Sequence, residues 1–222
     1  MKYQIIPVTP FQQNCSVIWC EASLKAAVVD PGGDIDRIIA EVKRLGLTVE
    51  KVLLTHGHID HVGGAKKLAI QLNVPIIGPH IADQFWLQGL VKQSQNFGFP
   101  LVEAFEPDQY LNDADVVRVG EQSLSVLHCP GHTPGHIVFY SKVSGLAWVG
   151  DVLFRRSIGR TDFPQSNHQD LVCSITQKLW PLGSHVSFIP GHGPMSTFAE
   201  EREHNPFVAD QLLSYRFSYR CS

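Results

Sequence analysis

The stretch Thr55-His56-Gly57-His58-Ile59-Asp60-His61 follows directly on the apolar run Val52-Leu53-Leu54. Side chains alternate along an extended segment, so His56 and His58, two apart, face the same way and can grip one ion between them. Asp60 and His61 come where the chain turns into the next helical pattern and point to a neighbouring position instead. At a helix start the carboxylate of Asp60 is also electrostatically favoured.

Working outward from this stretch, apolar β-branched runs over 3–8, 15–20 and 25–29 predict strands that reach the turn Asp30-Pro31-Gly32-Gly33, with Asp34 placed to cap a helix. Ile35, Ile38, Ile39, Val42 and Leu45 recur at helical spacing, and Gly46 ends the pattern. A helix over about 61–73, a strand at 75–77 and a helix over 80–95 follow, then a loop at Phe97-Gly98-Phe99-Pro100. The second half predicts strands near 115–119, 123–128, 136–140 and 146–149, a helix over 168–179 and a strand at 185–189. The class is α/β, with sheets between helical layers. No repeat or linker divides the chain, so one domain over 1–222 is expected, with Tyr215, Arg216, Tyr219 and Arg220 in a partly ordered tail.

Three later strand ends repeat the design of the first. Pro130-Gly131-His132-Thr133-Pro134-Gly135, Val149-Gly150-Asp151 and Pro190-Gly191-His192-Gly193-Pro194 each set a His or Asp among residues that turn tightly or stiffen a loop. Any one of these residues alone reads as a loop cap or a solvated group. Together, His56, His58, Asp60, His61, His132, Asp151 and His192 supply donors for two adjacent ions of the kind imidazole favours. His136, four residues after His132, reads first as a satisfied strand histidine and second as a support of the site from behind its ligands, and His80, His128, His168, His185 and His204 read as structural. The aromatic stretch Phe85-Trp86-Leu87, with Phe97 and Phe99, reads as core packing rather than as a groove wall.

Composition narrows the partners. The net charge is −3, charged residues make up 18% and apolar residues 44%, and the basic residues are scattered, so no phosphate-tracking surface is expected and nucleic acid is not a partner. The first residues lack the apolar core of an export signal, and no run of about 18 apolar residues could span a bilayer. A cytoplasmic protein with no membrane contact and no obligate protein partner is expected. The five cysteines, Cys15, Cys20, Cys129, Cys173 and Cys221, show no C-x-x-C spacing and read as free thiols.

These residues resemble the signature of the metallo-β-lactamase superfamily: a strand-end Asp (Asp30), the H-x-H-x-D-H run (His56 to His61), a downstream His (His132), a bridging Asp (Asp151) and a last His (His192). The resemblance implies a four-layer αββα sandwich. It also implies that His56, His58 and His132 hold one metal, Asp60, His61 and His192 the second, and that Asp151 bridges them, with catalysis centred on His56, His58, Asp60 and Asp151. Asp30 would support a ligand imidazole from behind. Zinc is the expected ion, and the same donors accept iron or manganese.

Within the superfamily, Gly150-Asp151-Val152-Leu153-Phe154 and Gly159-Arg160 resemble the type II glyoxalases, or hydroxyacylglutathione hydrolases. That likeness implies hydrolysis of a glutathione thioester such as S-D-lactoylglutathione, with Arg160 gripping a substrate carboxylate. A thiolate whose conjugate acid has a pKa of about 8.5 leaves without a general acid, whereas an amide nitrogen wants protonation, which favours a thioester over a β-lactam. Arg156-Ser157 and Thr161-Asp162 depart from the family pattern, and the longer glyoxalases continue past the last histidine into a helical domain that helps hold glutathione. The alternative is a persulfide dioxygenase, which resembles the same motif set but uses a single iron.

Overall fold

Alternate residues of the central strands enter different apolar clusters, and this period of two defines the layers. The computed structural model describes residues 1–215. Its first sheet contains β1 (Lys2–Val8), β2 (Gln13–Trp19), β3 (Lys25–Val29), β4 (Thr48–Leu53) and β5 (Ile76–Ile77), in that spatial order. The second sheet is formed by β6 (Val116–Val119), β7 (Gln122–His128), β8 (Ile137–Ser141), β9 (Leu146–Gly150), β12 (Ser187–Pro190) and β13 (Ser196–Thr197). It is ordered β13-β12-β9-β8-β7-β6, and a small hairpin of β10 (Leu153–Phe154) and β11 (Ser157–Ile158) follows β9 in the chain.

Val17, Ala26, Val28 and Val52 pack outward with Ile38 and Val42 of α1 (Ile35–Arg44) and Leu68 of α3 (Ala65–Leu72). Their neighbours Ile18, Ala27, Val29 and Leu53 turn the other way and meet Ile137, Phe139, Leu146, Trp148 and Ile189 of the second sheet. That sheet's opposite face, with Val138, Tyr140, Ala147, Val149 and Phe188, is covered by Leu171 and Val172 of α6 (His168–Cys173) and Phe198 of α7 (Phe198–His204). Three clusters between four layers make the αββα sandwich expected.

The remaining α-helices among the described residues are α2 (Ile59–Val62), α4 (Gln84–Gln88), α5 (Leu90–Phe97) and α8 (Asp210–Tyr215), and α6 continues as a π-helical segment over Ser174–Leu179. Several differ from the sequence expectation. The helix expected over 61–73 starts at Ile59 and breaks at Gly63-Gly64 into α2 and α3. The one expected over 80–95 is a 3-10 turn, Ile81–Asp83, followed by α4 and α5 on either side of Gly89. Asp34 precedes α1 without capping it; its carboxylate accepts the Thr9 N–H at 2.8 Å instead. The end of the chain is helical through Tyr215, whereas Arg216, Tyr219, Arg220 and Cys221 lie outside the described residues. Cys15, Cys20 and Cys129 are buried free thiols, but Cys173, half-buried on α6, is disulfide-bonded, contrary to the free-thiol expectation. No helix among the described residues is long and apolar enough to cross a membrane.

Strand direction gathers the polar strand ends. β3 and β4 run parallel, as do β9 and β12, so Asp30, the 55–61 run, Asp151 and His192 all follow the carboxyl ends of strands. β8 is antiparallel to β9, which brings the loop carrying His132 to the same edge. There the sheets are stitched together: Ile137 N–H donates to Thr55 O at 2.8 Å and Asn14 N–H to Gly191 O at 2.7 Å.

Candidate metal centre

All seven donors read from the sequence meet at this edge. His58 Nδ1 lies 3.2 Å from His56 Nε2 and 3.0 Å from His132 Nε2. On the other side, Asp60 Oδ2 lies 3.0 Å from His192 Nε2 and 3.7 Å from His61 Nε2. Asp151 sits between the two groups, with Oδ1 at 3.3 Å from His61 Nε2 and Oδ2 at 3.5 Å from His132 Nε2. A tetrahedral ion with arms of about 2.0–2.1 Å puts neighbouring donors about 3.3 Å apart, so these separations fit the edges of such a polyhedron. His61 Nε2 and Asp151 Oδ1 are buried and have no hydrogen-bond partner among the described residues, an expensive arrangement unless a cation lies between them. The residues present therefore fit metal ions.

Hydrogen bonds behind the rings set which nitrogen is free. Asp30 accepts the Thr55 N–H at 2.7 Å and the Thr55 hydroxyl at 2.6 Å, and its Oδ2 lies 2.9 Å from His61 Nδ1. Since the Thr55 hydroxyl proton is given to Asp30, its oxygen is left to accept from His56 Nδ1 at 3.0 Å. The carbonyls of Arg160 and Phe11 accept from His132 Nδ1 at 2.8 Å and His192 Nδ1 at 3.2 Å. In each case the proton goes outward and the Nε2 lone pair turns to the centre. His58 differs: its Nδ1 faces inward, and its buried Nε2 has no hydrogen-bond partner among the described residues.

The two triads differ electrically. Burial and the neighbouring imidazoles push His56 well below the ordinary histidine range, and burial with His132 holds His58 at about 3. Burial also lowers His132. These three rings stay neutral and are ready donors. Burial pulls His61 down too, but the carboxylates of Asp151 and Asp60 outweigh it and raise the ring well above its usual value. His192 is likewise raised by Asp60 and Asp151 against its own burial. Burial is the largest single influence on Asp60 and Asp151 and would raise both, but the surrounding imidazoles, His61 and His192 with His132 added for Asp151, together outweigh it and lower them.

Glycines let the chains close around these groups. A Cβ at Gly191 would stand 2.0 Å from Asp151 Oδ1 and 2.6 Å from His61 Cε1, and one at Gly159 would stand 2.0 Å from Asp151 O. The centre opens into a cavity of about 580 Å³ walled by Phe11, Trp86, Phe97, Phe154 and Phe163, with Arg160 as its one Lys or Arg side chain among the described residues. Arg160 donates to Asp162 through Nε at 3.0 Å and Nη2 at 2.8 Å, and its guanidinium carbon lies 4.7 Å from the Phe163 ring centroid.

Other residues here escaped the sequence reading. Trp86 and Phe97, expected in the core, line the cavity, while Leu87 and Phe99 do pack inward. His136 supports the centre: its ring stacks on His56 at 4.6 Å and its Nε2 accepts the Asp151 N–H at 3.0 Å. Its place four residues after His132 offers this role as the second of two readings, and the structure favours it over the plain strand histidine. Phe163 packs over His58 with ring centroids 4.7 Å apart. Asp83, fully buried, accepts from Gly57 N–H, the Thr133 hydroxyl and Gly135 N–H; burial pushes its carboxyl up to about 6 against these donors. Cys129 is a structural thiol, pushed up to about 12 by burial.

Comparison with known proteins agrees with this geometry. The family model of the metallo-beta-lactamase superfamily matches residues 8–196. Hydroxyacylglutathione hydrolase GloC of Haemophilus influenzae is 44% identical over 209 residues, which cover 94% of this chain and 98% of that protein. The crystal structure of the BLEG-1 B3 metallo-beta-lactamase superposes with a TM-score of 0.86 at 35% identity, covering 93% of this chain and 99% of its own. That of TTHA1623 in a di-iron-bound form does so with a TM-score of 0.84 at 31% identity, covering 92% and 100%.

Proposed function

Because the chain belongs to the metallo-beta-lactamase superfamily and is a metal-dependent hydrolase, we propose that it hydrolyses thioesters, with S-D-lactoylglutathione or a related hydroxyacylglutathione as substrate. The observation that carries this reading is a pair of donor triads meeting at Asp151, in a cavity whose wall, among the described residues, adds Arg160 and no further acid or histidine. His56 Nε2, His58 Nδ1 and His132 Nε2 would hold one ion, Asp60 Oδ2, His61 Nε2 and His192 Nε2 the other, and Asp151 would be shared. Zinc is the ion we assign, and iron suits the same nitrogen and oxygen donors. When bound, such a pair supplies a water that ionises near neutral pH and Lewis acidity at a carbonyl oxygen.

The chain's own residues do the rest. Asp30, Thr55 and the carbonyls of Phe11 and Arg160 hold the imidazole protons outward, so the inward lone pairs need no rearrangement. The aromatic wall keeps water from the reacting carbonyl. Arg160, on the cavity rim, is placed for a carboxylate remote from the reacting bond, exchanging Asp162 for the substrate. The missing acid on the wall suits a leaving group that departs as a thiolate and does not suit an amide nitrogen. The name of the Haemophilus influenzae relative supports glutathione as the thiol.

The test pairs elemental analysis of protein purified without added metal with assays on S-D-lactoylglutathione and a β-lactam. Two ions per chain and selective thioester turnover are expected. Comparable kcat/KM on both substrates would overturn the thioester assignment. One iron per chain with oxygen uptake on a glutathione persulfide would replace it with the dioxygenase reading.

A further inference from the structure

We infer that Asp83 is the positioning residue of the first triad, fixing His58 and His132 through the loops that carry them. The inference rests on the ligand assignment proposed above. His56, His61, His132 and His192 are each aimed by a partner at the outer ring nitrogen, whereas His58 has none among the described residues. Its ring lies between Trp86 and Phe163, with centroid separations of 4.5 Å and 4.7 Å. Aromatic packing restrains the ring plane without directing Nδ1, so that direction depends on the backbone beneath.

Asp83 fixes that backbone. Its Oδ2 accepts the N–H of Gly57, between His56 and His58, at 2.8 Å. The same oxygen accepts the hydroxyl of Thr133, next to His132, at 2.8 Å, and Oδ1 accepts the Gly135 N–H at 2.6 Å. A single carboxylate thus ties the two loops that supply the first triad. The fit has no slack: a Cβ at Gly135 would stand 2.4 Å from Asp83 N and 2.7 Å from Asp83 Cγ. Gln93 shows the contrast. It accepts from Ile59 N–H at 2.9 Å and donates to Gly57 O at 3.3 Å and Trp86 O at 2.9 Å, so it ties the first loop to α4 and, among the described residues, makes no hydrogen bond to the loop of His132.

The chemistry of the site requires a carboxylate. Three donors converge on two acceptor oxygens, and an amide would turn its own N–H groups toward some of them. With His58 Nδ1 only 3.0–3.2 Å from two other nitrogens, a modest shift of either loop spoils the shared centre. Ligand constellations need holding to within about 0.5 Å.

The experiment titrates zinc against a chromophoric chelator in wild type, Asp83→Asn and Thr133→Val, with thermal melts of the metal-free proteins alongside. Asp83→Asn is expected to weaken one of two zinc sites about 10- to 100-fold and leave the other within about twofold. Thr133→Val keeps both backbone bonds and should weaken the same site about three- to tenfold. Variants that melt lower yet hold both zinc ions with wild-type affinity would overturn the inference, since Asp83 would then only brace the fold. Equal weakening of both sites would overturn it too. If Asp83→Asn fails to fold, Thr133→Val decides by the same criterion. Wild type that binds fewer than two zinc ions would overturn the ligand assignment itself, and the inference with it.

Discussion

The triad of His56, His58 and His132 and the triad of Asp60, His61 and His192 share one edge of the same two sheets, but they are held by different means. The first consists of buried, neutral rings, and its loops are tied through backbone N–H groups to Asp83. The second is organised by charge: Asp30, Asp60 and Asp151 surround His61, and His192 keeps 30% of its side-chain surface exposed. The first should therefore depend on the placement of loops, and the second on the charge of single side chains.

Asp151→Asn tests the point where the two meet, and it should have the largest effect. A neutral amide removes charge from between two cations, so turnover should fall on the order of a hundredfold, with zinc content dropping below two per chain. Full activity with unchanged metal content would show that Asp151 is not shared. Asp30→Asn addresses the second triad directly, through His61, and the first only at one remove, through the Thr55 hydroxyl behind His56. Asp30 has φ +50, a conformation Asn also tolerates, so the backbone should persist while the acceptor behind His61 is lost. We expect about tenfold weaker zinc binding at one site by chelator competition; a loss confined instead to the site that Asp83→Asn weakens would break the comparison.

Arg160 separates backbone from side chain within one residue. Its carbonyl aims His132, whereas its guanidinium reaches the rim and is 69% exposed. Arg160→Ala keeps the carbonyl, so steady-state kinetics on S-D-lactoylglutathione should show KM raised about two- to fivefold with little change in kcat. A fall in kcat alone would place the side chain at the transition state. The smallest effect is expected from Asp162→Asn, which releases Arg160 from its internal carboxylate and should lower KM by less than about threefold. A raised KM there would mean that Asp162 orients Arg160 instead of competing for it.

The donors were legible in the sequence because each stands at a strand end among glycines and prolines, and a two-residue period brings His56 and His58 to one face. That sheets lie between helical layers was legible from the order of strand and helix patterns, but the number of layers came only from the family resemblance, since which interface Ala27 or Val28 enters is decided by the fold. Asp83 was not legible. It lies in a short 3-10 turn, and its partners Gly57 and Gly135 are distant in the chain and meet it only through the fold. The hairpin of β10 and β11 and the helix α7 also escaped, because two-residue strands have no period and Glu200, Glu201, Arg202 and Glu203 mask the apolar side that Phe198 anchors. Trp86 and Phe97 were misread because an aromatic facing a cavity and one facing a core look identical in sequence.

The close approach of Gly191 and Gly159 to Asp151 also bears on engineering. With methyl-sized clearance absent there, the interior has no room for substitution, and a randomised library that includes either position spends most of its members on proteins that cannot assemble the centre. The cavity wall of Phe11, Trp86, Phe97, Phe154 and Phe163 surrounds the opening of that interior. Exchanging the tool for a new substrate therefore means recutting the aromatic handle and leaving the glycine-lined socket alone.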